Sequence, residues 1–385
     1  MDPIPVEQVV QKDKLGPLKS AGHLIDIEAM DEYEKSIRES KSAVPGPSFW
    51  KGRRVLITGS AGMVGSTMID LLISMDAKVA GTVKRHALPD YPNVMHNVDS
   101  GKLHLYEVDL TDYNRVASLI KEFEPEFIFH QAAESFVPTS LQQPSHVVEN
   151  NCVSTTNLLE AATKEDKSLK GIQLACSSEQ YGFVKDASEL PVREENELRP
   201  TSTYASTKVF TEFIGKSYFY TYKTPTVITR SFNQEGPRRG PQFFTARIGH
   251  QMKDILSGKS NRIVMGNPNA VRDFTHIHDS VKAQLLALEK CERGQAYNIC
   301  SGKGITTGDY ATLATRVWDV KAPIFVDKRL LRPYERGEAL FDGFIGDNRK
   351  FSEKTGWKPT LTVTDIIRDS VKFYQDPKAF PVLKA

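Results

Sequence analysis

From residue 53 onward, short apolar runs alternate with longer stretches in which apolar residues recur every three or four positions. The longer stretches predict amphipathic helices at 63–75, 112–123 and 144–164. The apolar runs predict six strands: RRVLITG, AKVAGTV, KLHLYEVDL, EFIFHQAA, GIQLACS and TPTVITRSFN. Strands that alternate with helices in this way form a parallel sheet with helices on both faces. The pattern therefore predicts a doubly wound α/β fold.

The alternation loosens after about residue 236, where short apolar runs such as RIVMG, QAYNIC and APIFV mix with helical stretches. We expect this part to form a smaller mixed α/β lobe that binds substrate. Residues 1–52 follow neither pattern, and Pro and Gly punctuate their last ten positions. The predicted organisation is an extension and linker at 1–52, a nucleotide-binding domain at 53–236, and mainly a substrate-binding lobe at 237–385.

Charge and cysteine content narrow the choice of partners and location. The net charge is +2, from 50 basic and 48 acidic residues, which gives no case for a nucleic-acid or membrane partner. The four cysteines are widely spaced and no metal-ligand spacing appears, so no metal is expected. The N-terminus has no basic start followed by an apolar stretch, and we expect a cytoplasmic protein.

The first strand runs directly into TGSAGMVGS, which spaces three glycines as G-x-x-G-x-x-G before a helix. Glycines permit a tight turn and let the backbone approach a pyrophosphate, while the helix N-terminus supplies N–H donors. This context predicts a Rossmann-type dinucleotide site. The residues assigned to it are Gly59, Ser60, Gly62, Met63, Val64 and Gly65.

The end of the second strand indicates which dinucleotide binds. NAD sites usually place an acid there, whereas GTVKRHA presents Lys84 and Arg85. Two cations suit a 2′-phosphate, so NADP is favoured over NAD, although an ordinary solvated basic pair would read the same way. At the third strand's end, Asp109 either accepts a hydrogen bond from the adenine or caps the next helix, and Leu110 follows it in the cofactor set.

Two further stretches carry chemistry. TYASTK places Tyr204 and Lys208 four apart on a predicted helix, so both face one side, and a nearby ammonium lowers the pKa of a phenol. CSSEQYG lies at the carboxyl end of the fifth strand, where doubly wound sheets bind ligands. Ser177 and Glu179 lie two apart on an extended strand, so both point into the same cleft.

Taken together, these stretches resemble one family. TGSAGMVGS, EVDLTD, HQAAESFV, CSSEQYG, TYASTK, VRDFTHIHD and TGWKP are similar to the extended short-chain dehydrogenase/reductases that act on nucleotide sugars, over roughly residues 52–375. Within that superfamily the chain most resembles the GDP-mannose 4,6-dehydratases, because GTVKRHA and FNQEGPRRGPQF match their basic segment and arginine-rich loop.

The resemblance implies tightly bound NADP and a self-contained redox cycle that yields a 4-keto-6-deoxy sugar. By position, Tyr204 is the base at O4, Lys208 tunes it, Ser177 polarises O4, and Glu179 removes the C5 proton and helps water leave from C6. The family threonine is serine at 177, which keeps the hydroxyl and loses the methyl group that restricts its rotamer.

The resemblance also supplies a substrate-binding set for a nucleotide-diphosphate sugar: Ser135, Ser178, Asn233, Arg238, Arg239, Arg272, Arg332 and Glu335. One of the two adjacent arginines could serve packing instead, and the sequence does not choose between them. We expect a homodimer or homotetramer. The rival functions are a nucleotide-sugar 4-epimerase, which does not need Glu179, a nucleotide-uronate decarboxylase, and a non-enzymatic scaffold.

Overall fold

The computed structural model describes residues 3–10, 15–84, 91–182, 184, 187–331, 343–378 and 382–384. Three predicted site residues, Arg85, Arg332 and Glu335, lie outside these ranges. No helix of the described ranges is both long enough and apolar enough to cross a bilayer.

The described residues contain fifteen strands and fifteen α-helices. The strands are β1 (Ile4–Pro5), β2 (Arg54–Thr58), β3 (Lys78–Val83), β4 (Leu103–Glu107), β5 (Phe127–His130), β6 (Gly171–Ser177), β7 (Thr226–Ser231), β8 (Asn233–Glu235), β9 (Ile263–Met265), β10 (Val271–Arg272), β11 (Phe274–His276), β12 (Ala296–Ile299), β13 (Ile305–Thr306), β14 (Ile324–Val326) and β15 (Gly343–Phe344). The helices are α1 (Gly16–Ser20), α2 (Met30–Arg38), α3 (Pro47–Trp50), α4 (Met63–Ser74), α5 (Met95–Asp99), α6 (Tyr113–Phe123), α7 (Val137–Gln142), α8 (Pro144–Val148), α9 (Ser154–Glu165), α10 (Thr203–Tyr222), α11 (Phe244–Leu256), α12 (Ile277–Lys290), α13 (Thr307–Val317), α14 (Arg349–Thr355) and α15 (Val363–Gln375).

Seven of the strands form one parallel sheet in the order β12-β7-β6-β5-β2-β3-β4. Strand β2 pairs with β3 on one side and with β5 on the other, so the winding direction reverses there. Ligands of doubly wound sheets bind beyond the strand ends at such a point. The predicted Rossmann-type α/β class is confirmed.

Apolar clusters cover both faces of this sheet, as its almost continuously apolar strands require. On one face, α4 and α12 pack against the strands through residues such as Met68, Leu72 and Leu285. On the other face, α6 and α9 contribute Val116 and Leu158. Burial of both faces holds the sheet rigid, and the strand ends that carry polar residues are thereby fixed in place.

The second lobe is built on three short sheets, ordered β1-β14-β9, β13-β10-β15 and β11-β8. Helices α11, α13 and α15 pack around a separate apolar cluster that includes Met252, Tyr310 and Ile366. The chain does not stay in this lobe, because β12 returns to the edge of the large sheet and α12 covers one of its faces. The expectation that the segment QAYNIC belongs to the second lobe is therefore wrong.

The N-terminal extension packs along the main body. Strand β1 pairs with β14 of the second lobe, and Leu18 is buried against the cluster that contains Tyr181 and Phe232. Trp50 is fully buried, lies 5.1 Å from the ring of Phe127, and donates from its indole nitrogen to Glu289 at 2.5 Å. The extension thus contacts both lobes of the protein.

The predicted helix at 144–164 differs in one detail. A π-helical segment, Glu149–Val153, separates α8 from α9. Such insertions inside α-helices are frequent at functional sites. Here the segment carries Asn150 towards the cavity described below.

Candidate active site

A cavity of about 1130 Å³ lies between the carboxyl ends of the parallel strands and the second lobe. This volume lies slightly above the range of about 300–1,000 Å³ that is typical of a site for one drug-sized ligand. The glycine turn after β2 and the CSSEQYG segment after β6 both line it. The sequence therefore identified two stretches, far apart in the chain, that share one cavity.

The three glycines of the turn have different roles. A Cβ atom on Gly59, whose φ is +66°, would lie 2.9 Å from the backbone of Ala132, and one on Gly65 would lie 2.5 Å from the Gly59 carbonyl oxygen. Close backbone packing therefore requires both glycines. A Cβ on Gly62 would meet only the Gly59 carbonyl, at 3.4 Å. The space in front of Gly62 belongs to the cavity.

Of the other predicted cofactor residues on this turn, Met63 and Val64 line the cavity but Ser60 does not. Ser60 is fully buried, and its hydroxyl donates to the Thr82 carbonyl at 2.7 Å. Gly81 on β3 leaves the space it needs, because a Cβ there would lie 2.7 Å from the Ser60 side chain. Ser60 therefore ties the turn to β3, and its expected contact with the cofactor is corrected.

Lys84 and Asp109 face each other at the rim of the cavity. The Lys84 ammonium lies 3.3 Å from the Asp109 carboxylate and donates to Asn150 at 3.2 Å. Asp109 accepts two hydrogen bonds from Thr111, and these, with Lys84, outweigh burial and lower its pKa. Leu110 follows on the cavity wall. Asp109 does not cap α6, because Asp112 does so. Its carboxylate binds Thr111 and faces the cavity, and its contact with the adenine stays a prediction.

The polar end of β6 is held by its own short turn. The Ser177 hydroxyl accepts a hydrogen bond from the Glu179 N–H at 3.2 Å, and the Gln180 amide oxygen accepts one from the Ser177 N–H at 3.1 Å. This capping arrangement aims Ser177, Ser178 and Glu179 at the cavity. The segment therefore caps a turn and presents a carboxylate to the cavity at the same time.

Tyr204 and Lys208 lie in the first two turns of α10, which begins at the cap supplied by Ser202. Both side chains are nearly buried and line the cavity. The Lys208 ammonium donates to the Ala175 carbonyl of β6 at 2.7 Å and lies 5.8 Å from the centre of the Tyr204 ring. The lysine thereby connects the tyrosine helix to the strand that ends in Ser177.

The pKa of Tyr204 is raised above its usual value, contrary to the expectation that Lys208 lowers it. Burial is the main cause, and the Glu179 carboxylate adds to it. The hydrogen bond with Ser177 and the charge of Arg239 offset part of this rise. Burial also lowers the pKa of Lys208.

The two adjacent arginines after β8 point in different directions. Arg239 lines the cavity, stacks on the Phe243 ring at 3.5 Å and lies 3.2 Å from the Glu235 carboxylate. Arg238 does not line it, because its guanidinium pairs with Asp70 of α4 at 2.7 Å. The predicted contact of Arg238 with substrate is therefore wrong, and this residue instead joins the two lobes.

The remaining predicted substrate residues surround the same space. Asn233, Arg272 and Ser135 all line the cavity. The guanidinium of Arg272 is nearly buried, donates to the Val271 carbonyl at 2.9 Å and lies 5.4 Å from the Phe344 ring. The cavity wall thus combines hydroxyl, amide and guanidinium donors, which suit a phosphorylated sugar.

Arg247 and Asn150 are among the cavity residues that reasoning from the sequence missed. Arg247 lies on α11 and faces the cavity beside Arg239, but nothing in its helical pattern separates it from a surface cation. Asn150 depends on the π-helical segment, which periodicity does not reveal. No cluster of His, Cys, Asp or Glu suited to a metal is found in the described ranges.

Comparison with known proteins identifies the family of the chain. The family model described as GDP-mannose 4,6 dehydratase matches residues 56–370, and the chain belongs to this family. A GDP-mannose 4,6-dehydratase of Yersinia enterocolitica is 27% identical over 369 residues, which cover 86% of this chain and 97% of the relative.

Two solved structures show the same fold. RMD from Pseudomonas aeruginosa, complexed with NADPH, has a TM-score of 0.70 and 23% identity, covering 84% of this chain and 99% of that one. The UDP-glucose 4-epimerase of Thermus thermophilus, complexed with NAD, has a TM-score of 0.72 and 26% identity. The match covers 84% of this chain and 99% of that one.

Proposed function

We propose that the protein is an NADP-dependent GDP-hexose 4,6-dehydratase, a hydro-lyase that converts a GDP-mannose-like sugar to its 4-keto-6-deoxy derivative. The observation that carries the proposal is the arrangement of Ser177, Glu179, Tyr204 and Lys208 in one cavity with the glycine turn. Membership of the GDP-mannose 4,6 dehydratase family supports the choice of base and sugar.

The residues present fit a dinucleotide. The open space in front of Gly62 would admit a pyrophosphate at the N-terminus of α4, where Met63 and Val64 present backbone N–H groups. Lys84 supports NADP over NAD, because its half-exposed ammonium can pair with a 2′-phosphate. A nicotinamide bound there would supply the hydride acceptor and donor that the reaction needs.

The chain's own residues move the protons. Tyr204 takes the O4 proton, while Ser177 donates a hydrogen bond to the same oxygen. The Ser177 hydrogen bond and the Arg239 charge lower the pKa of Tyr204 against the effect of burial, and Lys208 would add positive charge beside the ring. The ketone at C4 makes the C5 proton acidic, and Glu179 removes it. Glu179 then protonates the departing C6 hydroxyl, so that one water leaves. When C6 is reduced, C5 takes up a proton from solvent and Tyr204 releases the O4 proton to solvent, so the proton count closes. The sugar loses only water overall.

Charges on the lobe side would hold the diphosphate. Arg239, Arg247 and Arg272 converge on the cavity, and a charge-assisted bond to phosphate contributes about 1.5–3 kcal/mol each. Asn233, Ser135 and Ser178 would contact the hexose. In this assignment 53–236 would bind the cofactor and the hexose, and 237–385 would bind the diphosphate of the substrate.

We also propose a homodimer or homotetramer. Helix α10 leaves four aromatic side chains substantially exposed: Phe210, Phe213, Tyr220 and Tyr222. Apolar patches on a surface helix mark interaction sites. Light scattering would give the mass, and Phe213→Glu should lower it towards that of one chain if this face is used.

The test of the activity is incubation of the purified protein, without added cofactor, with GDP-mannose, UDP-glucose, dTDP-glucose, CDP-glucose and UDP-glucuronate in separate reactions followed by mass spectrometry. Loss of water from GDP-mannose is the expected result. Loss of carbon dioxide from the uronate would indicate a decarboxylase, an unchanged mass with altered retention an epimerase, and no conversion at all a different substrate or a non-enzymatic role.

A further inference from the structure

The proposed chemistry uses three residues of CSSEQYG and leaves Gln180 without a role. Gln180 directly follows Glu179, yet its side chain is fully buried on the side away from the cavity. Its amide oxygen accepts from the Ser177 N–H at 3.1 Å, and its amide nitrogen donates to the Glu212 carboxylate at 2.9 Å. One side chain therefore joins the end of β6 to α10.

Glu212 belongs to the same helix face as the two proposed catalytic residues. Tyr204, Lys208 and Glu212 are spaced four apart on α10, so they form one row that faces β6. The bond from Gln180 therefore ends on the element that carries Tyr204. This hydrogen bond therefore fixes the distance between α10 and the end of β6, next to Glu179.

Glu212 is itself held firmly. The Arg230 guanidinium of β7 binds its carboxylate through two nitrogens, at 2.8 and 2.7 Å, and Lys216 approaches it at 2.6 Å. Burial alone would raise the pKa of Glu212, but the hydrogen bonds and charges of Arg230 and Lys216 outweigh it and lower the pKa to about 2. Glu212 is therefore a fixed, ionised acceptor.

The residue on the other side of Gln180 is anchored to the same arginine. Arg230 donates to the Tyr181 hydroxyl at 2.9 Å, and that hydroxyl donates to Asn298 of β12 at 2.7 Å. Gln180 and Tyr181 thus both connect to Arg230, one through Glu212 and one directly. The turn after Glu179 has no freedom to shift unless these buried bonds break.

We propose that Gln180 is a positioning residue that fixes the Glu179 carboxylate relative to Tyr204. An amide is needed because the position must accept from an N–H and donate to a carboxylate at once. Leucine would remove the acceptor of the Ser177 N–H and the bond from the strand end to Glu212, which Arg230 and Lys216 would still hold, and glutamate would face Glu212 with a second carboxylate. The inference rests on the proposed function, in which Glu179 and Tyr204 act on neighbouring atoms of one sugar.

The test compares Gln180→Leu, Gln180→Glu and the double variant Q180E/E212Q with wild type. The matched control is Gln173→Leu, because Gln173 is equally buried on β6 and its amide binds Thr229 and Gln131 rather than α10. The measurements are melting temperature, copurified NADP, KM and kcat for the sugar nucleotide, deuterium uptake at C5 in D₂O, and crystal structures of wild type and Gln180→Leu.

We expect both single variants at 180 to lose about 100-fold in kcat and in C5 deuterium uptake, with KM and NADP content unchanged, because a misplacement of about 1 Å can cost that much. The double variant should recover most of the loss, since the carboxylate introduced at position 180 would accept from the Ser177 N–H and from the amide introduced at position 212. Equal losses in Gln180→Leu and Gln173→Leu, or a double variant no better than Gln180→Glu, would overturn the proposal. If wild type converts no sugar nucleotide, the proposed function fails. The positioning role is tested separately: it is rejected if the Ser177–Glu179 segment has the same position in the crystal structures of wild type and Gln180→Leu.

Discussion

Arg238 and Asp70 join the two lobes of the protein: the guanidinium lies 2.7 Å from the carboxylate, although the residues are 168 positions apart. Asp70 is almost fully buried on α4 and also accepts from His96 at 2.8 Å and from Asn97 at 2.6 Å. Because Arg238 is held in this way, its neighbour Arg239 faces the cavity. The two arginines should therefore respond differently to replacement.

Arg238→Ala should lower the free energy of unfolding by about 3 kcal/mol, because it leaves the buried Asp70 carboxylate without its main cation. Arg239→Ala should raise the KM for the sugar nucleotide about tenfold or more, as expected for a lost charge-assisted bond to phosphate. Denaturant unfolding and steady-state kinetics on both variants would show this. The reverse order of effects would mean that Arg238 is the residue that contacts substrate.

The glycines of the turn offer a second matched pair. Gly65→Ala should destabilise the protein by about 1–3 kcal/mol, because the added Cβ would lie 2.5 Å from the Gly59 carbonyl oxygen. Gly62→Ala should cost less, on the order of 0.5–1 kcal/mol, because alanine is a poorer N-cap than glycine but the nearest atom to the added Cβ would lie at 3.4 Å.

Gly62→Ala should instead reduce nucleotide content, because the methyl group would occupy space needed by the pyrophosphate. Thermal melting and the nucleotide released on denaturation give both quantities for the two variants. Normal NADP content in a stable Gly62→Ala protein would place the pyrophosphate elsewhere.

Site features that depend only on a short stretch of the chain were predictable from the sequence. The glycine turn, the polar end of β6, and Tyr204 with Lys208 depend on local periodicity and on the rule that parallel strands end at one edge, and the structure brings them to one cavity. Their spacing alone placed them correctly because each lies at the end of a strand or on the first turns of a helix.

Features that depend on distant partners were not predictable. Ser60 turns inward because Gly81 leaves room for it, and its hydroxyl bonds to a carbonyl 22 positions away. Arg238 and Arg239 are chemically identical neighbours, and the positive φ of +67° at Arg238 helps to direct them apart. The rise in the pKa of Tyr204 results from burial, which a pair of residues spaced four apart does not reveal.

Replacement of Glu179 by Gln should leave NADP content and substrate affinity intact and should lower the rate of water loss by about 10²- to 10⁴-fold, as expected for removal of a general base. Deuterium uptake at C5 in D₂O should fall in parallel. Tyr204→Phe is the companion variant, and it should block the earlier step, so that neither uptake nor product appears. Full dehydration by the Glu179→Gln protein would remove this carboxylate from the mechanism.

The buried Glu212 should make stability depend on acid pH. Its pKa is about 2 in the folded protein and about 4.3 in an unfolded chain, so its contribution is complete above pH ~4.5 and is lost as the pH falls towards 2. The total is on the order of 3 kcal/mol. Urea unfolding from pH 7 downward should show a steeper fall for wild type than for Glu212→Gln. Parallel profiles would mean that Arg230 and Lys216 do not hold the carboxylate ionised.

The N-terminal extension should influence the substrate side of the cavity. Val6 is buried in the apolar cluster of the second lobe, and the Val9 carbonyl accepts a hydrogen bond from Asn269 at 3.1 Å. Asn269 lies between Asn267 and Ala270, which line the cavity. Displacement of residues 4–9 would therefore remove one of the bonds that fix this loop.

Val6→Asp should detach β1 from β14, since a carboxylate has no partner in that cluster. We expect a higher KM for the sugar nucleotide and unchanged NADP content, because the glycine turn lies on the other lobe. Glu7→Ala, at the exposed neighbouring position, is the control and should match wild type in both measurements. A local effect on the 267–270 loop cannot reach the far end of the cavity. An equal loss of NADP binding and substrate binding in Val6→Asp would therefore indicate that the extension supports folding of the whole chain.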